Sequence, residues 1–529
     1  MRNRESGRIH LGLLIAGLLL VCPGRYHNAQ GPTAEEYVTR ATHLVEGGDL
    51  KGAEEALRQA VELSPRESRY WAHLGIVLGM EQRLEESVAC FDKALKLDPA
   101  NLEVRRNLAL REWQLGRLVA AYEDVGIILK TKPNDARATL LRGMVAESSK
   151  DYPNAARLLA SVLPLVEQNP ESTVALSRAY YRTGEKLKAR ETLLSLLNQN
   201  AEAQGVFLGA QLASDELDYA TAETLFLSIR KSYPDPSRLA YSLALAQYRD
   251  HRFKQSQGTL LDLLQTGWES TDVYDLLGWC YQKQGNYAAS VSAFQRAIDL
   301  DPKKETSYVD LGLVLIGFRR YAAAEAVAQK AIAALPPSSR VLEVKGMSEV
   351  LMQDYVNAEG SYARASELNP ESAEANLGLA ESQWAAGKVQ RSFATFQQGL
   401  KRFPHDALHY QEYGRALLKY AESGHQDAET QAMAMLNEAI AVDGSLPEPH
   451  YLLGNLALSE GRTEEALQQL EEASRLEPNK GKVHFALSRA YRRLDREQDA
   501  VREFEIFQKL RAEEEKGPAT SLLAGAAEN

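Results

Sequence analysis

Residues 274–302 read YDLLGWCYQKQGNYAASVSAFQRAIDLDP, and this stretch decides the fold. Tyr274, Leu277, Gly278, Tyr281, Gly285, Tyr287, Phe294, Ala297 and Pro302 return elsewhere in the chain at a fixed interval. Trp71, Leu74, Gly75, Leu78, Phe91, Ala94 and Pro99 make a second copy. Tyr308, Leu311, Gly312, Leu315, Ala324, Ala331 and Pro336 make a third, and Leu453, Gly454, Ala466, Leu470, Ala473 and Pro478 a fourth. Trp71, Leu74 and Leu78 stand at i, i+3 and i+7, one face of a helix. The small Gly75 lets a second helix approach, and Phe91 and Ala94 mark that helix's inner face. Proline has no amide hydrogen to continue the helix and turns the chain.

The prolines fix the period. Pro65, Pro99 and Pro133 are 34 residues apart, as are Pro302, Pro336, Pro370 and Pro404. Pro234 precedes Pro302 by 68 residues, two periods. Pro404 and Pro478 are separated by 74, two periods plus six, and the polar stretch Glu422 to Glu429 reads as a longer turn holding the extra six. Two regions keep the pattern less well. In 136–201, Leu176, Tyr180, Ala189 and Leu193 fit, but Pro170 moves the proline spacing to 37. In 235–268, Trp268 stands where proline is expected.

This pattern resembles the tetratricopeptide repeat family, with its 34-residue W-x2-L-G-x2-Y, A-x3-F, P signature. The resemblance implies an all-α, right-handed α-solenoid of about fourteen helix-turn-helix units. One unit cannot cover its own apolar face, so neighbours must stack. The repeats are expected over 34–268 and 269–512, and residues 513–529 as a frayed tail. Thr33 with Glu36 forms an expected capping box at the start. The increasingly charged 501–516 suits a terminal cap facing water.

Residues 1–29 read as an export signal. Arg2, Arg4 and Arg8 precede an uncharged apolar run from Leu11 to Cys22. As a helix that run spans roughly 18 Å, against about 30 Å of hydrocarbon. A cleaved signal with a new terminus at Gln30, and hence a periplasmic or secreted protein, is the expectation. Lipidation of Cys22 is the alternative, although Leu20 and Val21 depart from a lipoprotein signal. Contact with membrane is expected only through this segment.

Composition and motifs exclude several classes. The chain of 529 residues carries a formal net charge of −11 and no basic stripe, which argues against nucleic acid. Cys90 and Cys280 lie about six repeats apart, beyond disulfide reach in a solenoid. No phosphate loop, G-x-S-x-G elbow, H-E-x-x-H or C-x-x-C is present, so no catalytic site, cofactor or metal is expected. His405 and His409 are four apart, but Pro404 puts the first at a turn and no third ligand is evident.

The resemblance further implies that first helices line a concave groove for partner segments. Counting from the Leu-Gly pair, one and four residues past the Gly position lean toward it. These positions are Leu313 and Ile316, Met347 and Val350, then Glu381 and Trp384, a mostly apolar stretch. Packing against adjacent helices and an exposed groove are both open readings. Farther on come Arg415 and Leu418, Asn455 and Leu458, then Arg489 and Arg492, with Lys419, Tyr451 and Arg493 nearby, a partly basic wall suited to an acidic peptide. The family's chaperone-gripping clamp is not reproduced: Asn455 matches one position, but Tyr451 replaces a lysine and Ala486 an asparagine. The sequence thus points to a non-catalytic scaffold for protein or peptide partners in the cell envelope. The alternative is a regulatory or substrate-docking arm for an enzyme on another chain.

Overall fold

A computed structural model describes residues 32–198 and 201–514. The leader, Cys22 and residues beyond Glu514 lie outside these limits, so the expectations for them stand on sequence alone. Among the described residues there are 29 helices and no strand. Contacts divide the chain into two compact units that meet in sequence between Ala246 and Gln247. No described helix is long and apolar enough to cross a membrane.

Unit 1 runs as α1 (Ala34–Glu46), α2 (Leu50–Leu63), α3 (Ser68–Met80), α4 (Leu84–Leu97), α5 (Leu102–Gln114), α6 (Leu118–Thr131), α7 (Ala136–Ser148) and α8 (Tyr152–Ala160). It continues with α9 (Leu163–Val166), α10 (Pro170–Arg182), α11 (Lys186–Ser195), α12 (Ala203–Asp215), α13 (Tyr219–Ser228) and most of α14 (Pro236–Arg249). Unit 2 holds α15 (Phe253–Gln265), α16 (Thr271–Lys283), α17 (Tyr287–Leu300), α18 (Glu305–Gly317), α19 (Tyr321–Ala334), α20 (Ser339–Leu351) and α21 (Tyr355–Leu368). It closes with α22 (Ala373–Ala385), α23 (Val389–Arg402), α24 (Ala407–Glu422), α25 (Asp427–Val442), α26 (Pro447–Ser459), α27 (Thr463–Leu476), α28 (Gly481–Arg493) and α29 (Glu497–Glu514).

Within a pair, a short turn reverses the chain on one residue with left-handed φ. Gly285 (φ 72°) and Gly461 (φ 79°) do this where the sequence supplies glycine; Gln82, Leu217 and Arg319 do it at φ near 60° where it does not. The next residue's amide donates back to the helix, as in Asn286 N to Tyr281 O at 2.9 Å and Asp218 N to Ala213 O at 2.8 Å. This six-to-one bond satisfies carbonyls that the helix end leaves open. At the chain's first helix the capping box forms: Thr33 N donates to Glu36 Oε2 at 2.8 Å, and Glu36 N to Thr33 Oγ1 at 3.3 Å.

The two helices of a pair meet at the Gly position. A Cβ on Gly75 would lie 2.9 Å from Phe91, one on Gly278 2.6 Å from Phe294, and one on Gly454 2.7 Å from Leu470. Buried hydroxyls reinforce the same junction. Ser87 Oγ donates to Gly75 O at 2.5 Å, Ser290 to Gly278 O at 2.8 Å, and Ser392 to Ala380 O at 2.8 Å. Each serine lies twelve residues past its acceptor, at the start of the second helix. Buried without that bond, the hydroxyl would cost about 1–3 kcal/mol.

Two expectations need correction. Pro170 does not lengthen its repeat: α7 begins at Ala136 and α10 at Pro170, still 34 residues apart. The proline has moved from the turn into the first turn of the helix, behind an Asn169 cap, where its missing N–H costs nothing. The real irregularity is Pro164, which stops α8 at Ala160 and opens the one-turn α9. Its ring would collide with the carbonyl four residues back. Nor do the extra six residues before Pro478 make a long turn. Five of them lengthen α24 and α25 to 16 residues each, against 13 and 14 in α22 and α23, and the sixth extends the turn. The turn between them, 423–426, is one residue longer than 386–388 in the preceding pair.

Cys90 and Cys280 are free, buried thiols, and burial pushes both up to about 11.

Candidate partner-binding surfaces

In unit 2 the first helices α18, α20, α22, α24, α26 and α28 carry the positions that the register assigns to a groove. Their surroundings differ sharply. Ile316 is 4% exposed and belongs to a core cluster with Tyr308, Leu315 and Val344, so it offers no surface. Leu313 is half-buried against the same cluster. Met347 is 38% exposed, and Val350, one turn on, is half-buried. Trp384 is half-buried because Phe393, from the second helix of its own pair, stacks on it at 5.8 Å between centroids. Phe393 in turn meets Tyr413 and Tyr420 edge-on. The apolar stretch therefore narrows to Met347 and Val350, with Leu313 at its margin.

The expected basic wall is likewise thinned. Arg415 is half-buried and bridges Glu381, at 3.2 Å, and Glu412. Burial and the neighbouring Glu412 push Glu381 up to about 7. Arg415 thus neutralises the acids of its own groove wall. Tyr451 carries the Lys482 ammonium 4.4 Å from its ring centroid, while Lys482 also pairs with Glu448. Arg493 is tied back to Leu458 O, and Leu458 itself is buried. Asn455 is half-buried. What remains exposed, with no ion pair among the described residues, is Lys419, Arg489 and Arg492.

Two acidic features escaped the count. Trp279 Nε1 donates to Asp310 Oδ2 at 3.1 Å, and burial pushes Asp310 up to about 6. Asp310 and Glu412 lie just before the Gly position, outside the two offsets counted. The His405–His409 pair is structural on one side: His409 is fully buried, with Nδ1 3.0 Å from Asp406 and Nε2 3.2 Å from Asn376. Among the described residues no group of three His, Cys, Asp or Glu could hold a metal.

Unit 1 contains a recess that the count did not single out. It is formed by α5, α7 and the start of α10, and includes Leu110, Trp113, Leu140, Leu141 and Met144 with Arg106 and Arg137. Leu110, Trp113 and Met144 are the same offsets counted from Ala109 and Gly143, so the signal was present in the sequence. Trp113 Nε1 donates to Ser148 Oγ at 2.8 Å, fixing its indole across two first helices.

The repeat geometry agrees with comparison to known proteins. The tetratricopeptide repeat profile matches residues 38–101, 106–170, 276–339, 345–407 and 451–513, more than half of the chain. The chain belongs to the tetratricopeptide repeat family. Among curated members, this tetratricopeptide chain is 25% identical over 234 residues to the peroxisomal targeting signal receptor of Saccharomyces cerevisiae, covering 41% of itself and 37% of the receptor. It is 27% identical over 112 residues to the mouse N-alpha-acetyltransferase 16, NatA auxiliary subunit, covering 21% of itself and 13% of that protein. It thus spans well under half the length of these relatives. Of solved structures, yeast Tom70 superposes over 91% of this chain and 93% of its own, with 16% identity and a TM-score of 0.41. Naa15/Naa10 bound to HypK-THB covers 92% and 90%, with 13% identity and a TM-score of 0.33.

Proposed function

We propose that this chain is a non-catalytic scaffold of the cell envelope that holds segments of partner proteins on its first-helix surfaces. The observation carrying this reading is Met347, an exposed apolar side chain on a first helix whose counterpart one repeat earlier, Leu313, is half-buried against the core. Lys419, Arg489 and Arg492 extend the surface with exposed cations. An apolar anchor followed by free cations suits an extended partner segment whose anchor precedes acidic residues. Names among the relatives support protein binding: one is a targeting-signal receptor, another an auxiliary subunit. The auxiliary subunit favours a second reading, a docking arm for an enzyme carried on another chain.

Photo-crosslinkers at Met347 and Arg489 test the surface. Protein partners captured from both sites support it; no partner from either counts against it. Envelope location rests on residues 1–29. A native terminus at Gln30 supports export of a soluble form, a lipid-bearing Cys22 supports an anchored one, and an intact leader on cytosolic protein overturns both.

A further inference from the structure

Second helices are normally closed on both sides: α27, for example, packs on α26 and on α28. The last described helix, α29, packs on α28, and no helix follows it among the described residues. The consequence shows at one register position. Phe91, Phe294 and Leu470 stand sixteen residues past the Gly position of their pairs, and all three are fully buried. Phe504 stands at the same offset from Ser488 and is only half-buried. It groups with Phe507 and with Phe485 of α28, the ring centroids 5.1 to 6.5 Å apart. Phe485 is 42% exposed, and Val501, one turn before Phe504, is 46% exposed. An apolar patch therefore stands open on the outer side of α28 and α29.

The charges on α29 select what can cover it. Glu497 lies seven residues before Phe504 and Arg511 seven residues after, two turns in each direction, so the three share one helix face. Both charged residues are exposed. A second α29 laid antiparallel on the first, Phe504 opposite Phe504, brings Glu497 of each copy level with Arg511 of the other, about 10.5 Å from the centre on either side. The helix is thus complementary to itself reversed. In the array, a first helix also runs antiparallel to the second helix it covers, because a short turn joins them. A reversed copy of α29 therefore fills the open side in the direction the architecture uses elsewhere. We infer that α29 is the interface of a two-fold dimer of this chain, with Phe485, Val501 and Phe504 at its centre and two Glu497–Arg511 pairs between the copies. Such an isologous contact is complete with two copies and does not grow into a fibre. The inference goes beyond the scaffold reading and uses none of the residues assigned to partner binding. Its consequence is that each partner surface is presented twice, so that a partner with two segments is held by both copies.

Sedimentation of the full chain at up to about 100 μM tests this, and a dimer is expected. Glu497→Arg sets like charges against each other at both ends of the contact, and so does Arg511→Glu. Each is expected to weaken self-association about tenfold or more. Mixing the two variants puts opposite charges together again at both ends, so a one-to-one heterodimer should return with the parent's affinity. The chain carrying both reversals should likewise dimerise with itself. Glu497 and Arg511 are exposed, so all variants should keep the parent's circular dichroism. A monomeric parent, a single reversal that leaves the dimer intact, or a mixture of the two variants that stays monomeric would each overturn the inference. So would a dimer whose intermolecular crosslinks fall outside α28 and α29. A monomer whose crosslinks join α29 to residues 515–529 would also overturn it, and would make the chain's own end the occupant.

Discussion

The ring of Phe91 lies directly against the backbone of Gly75, so close that a Cβ on Gly75 would stand 2.9 Å from Phe91 Cε1. Phe91 is fully buried and cannot swing away. Gly75→Val should therefore force α3 and α4 apart and cost about 1–3 kcal/mol. Gly360, also inside a helix, has nothing within 4 Å of its added Cβ. Gly360→Ala should instead gain about 0.5–1 kcal/mol through helix propensity. Hydrogen exchange resolved by helix checks both, since a repeat array need not unfold in one step. Equal effects at the two glycines would contradict the close contact.

The turn residues make a matched pair of opposite sign. Leu217 holds φ 60° with its side chain 71% exposed, so it bears the left-handed strain with little packing in return. Leu217→Gly should stabilise the α12–α13 pair by about 0.5–1 kcal/mol. Gly285→Ala, at φ 72°, should destabilise α16–α17 by about 1 kcal/mol. Urea midpoints of the two variants against the parent decide the signs.

Glu112 gives the pH dependence of unit 1. Burial, then Asp124 and Asp92, push it up to about 7 from 4.5, while Asp124 is itself paired with Arg105 at 2.5 Å. Below pH 4.5 the carboxyl is protonated in folded and unfolded chains alike and makes no difference to stability. Between about 4.5 and 7 the unfolded chain releases its proton first, so stability falls as pH rises. Above 7 the cost is complete, on the order of 1–3 kcal/mol. Glu112→Gln should therefore be the more stable form at pH 8 and should lose that advantage as pH falls to 4.5. Chemical denaturation at the two pH values measures the difference; a constant gap would show that the carboxyl titrates normally.

The groove positions of unit 2 separate into surface and core. Met347→Glu should keep the parent's stability within about 0.5 kcal/mol and lose partner crosslinking. Ile316→Glu should cost more than about 3 kcal/mol, because it places a charge among Tyr308, Leu315 and Val344. Trp384→Glu should fall between, through loss of its stacking on Phe393. Thermal midpoints set beside crosslinking yields make the comparison. If Met347→Glu melts as early as Ile316→Glu, the apolar surface at Met347 is core after all.

Most of the fold was legible because its signals are local. The helix pair, its Gly–Phe contact at Gly75 and Phe91, and the Thr33 capping box all follow from residues within one period of one another. Prolines misled where they were read as fixed points. Pro170 works equally well in the turn or in the first turn of α10, and Pro164, inside the expected second helix, passed unnoticed. The Ser87, Ser290 and Ser392 hydroxyls could have been found by their common offset of twelve from the Gly position. The left-handed φ of Leu217 and Arg319 could not, since nothing in their own chemistry favours that conformation.

By itself the sequence determined a repeating helix pair stacked on its neighbours, because a 34-residue apolar period and its turn residues leave each pair one way to cover its apolar face. It did not determine which register positions remain free. Arg415 and Arg489 are equivalent in the count, yet the first is spent on Glu381 and Glu412 while the second stands exposed. Leu313 and Met347 are equivalent too, yet the first packs half-buried against the core while the second is exposed. Arg69 and Arg137 are each second in a first helix, yet among the described residues only Arg69 makes an ion pair. Tertiary structure decided each case, because pairing and burial depend on side chains contributed by the next helix or the next repeat, and those neighbours differ from one repeat to another.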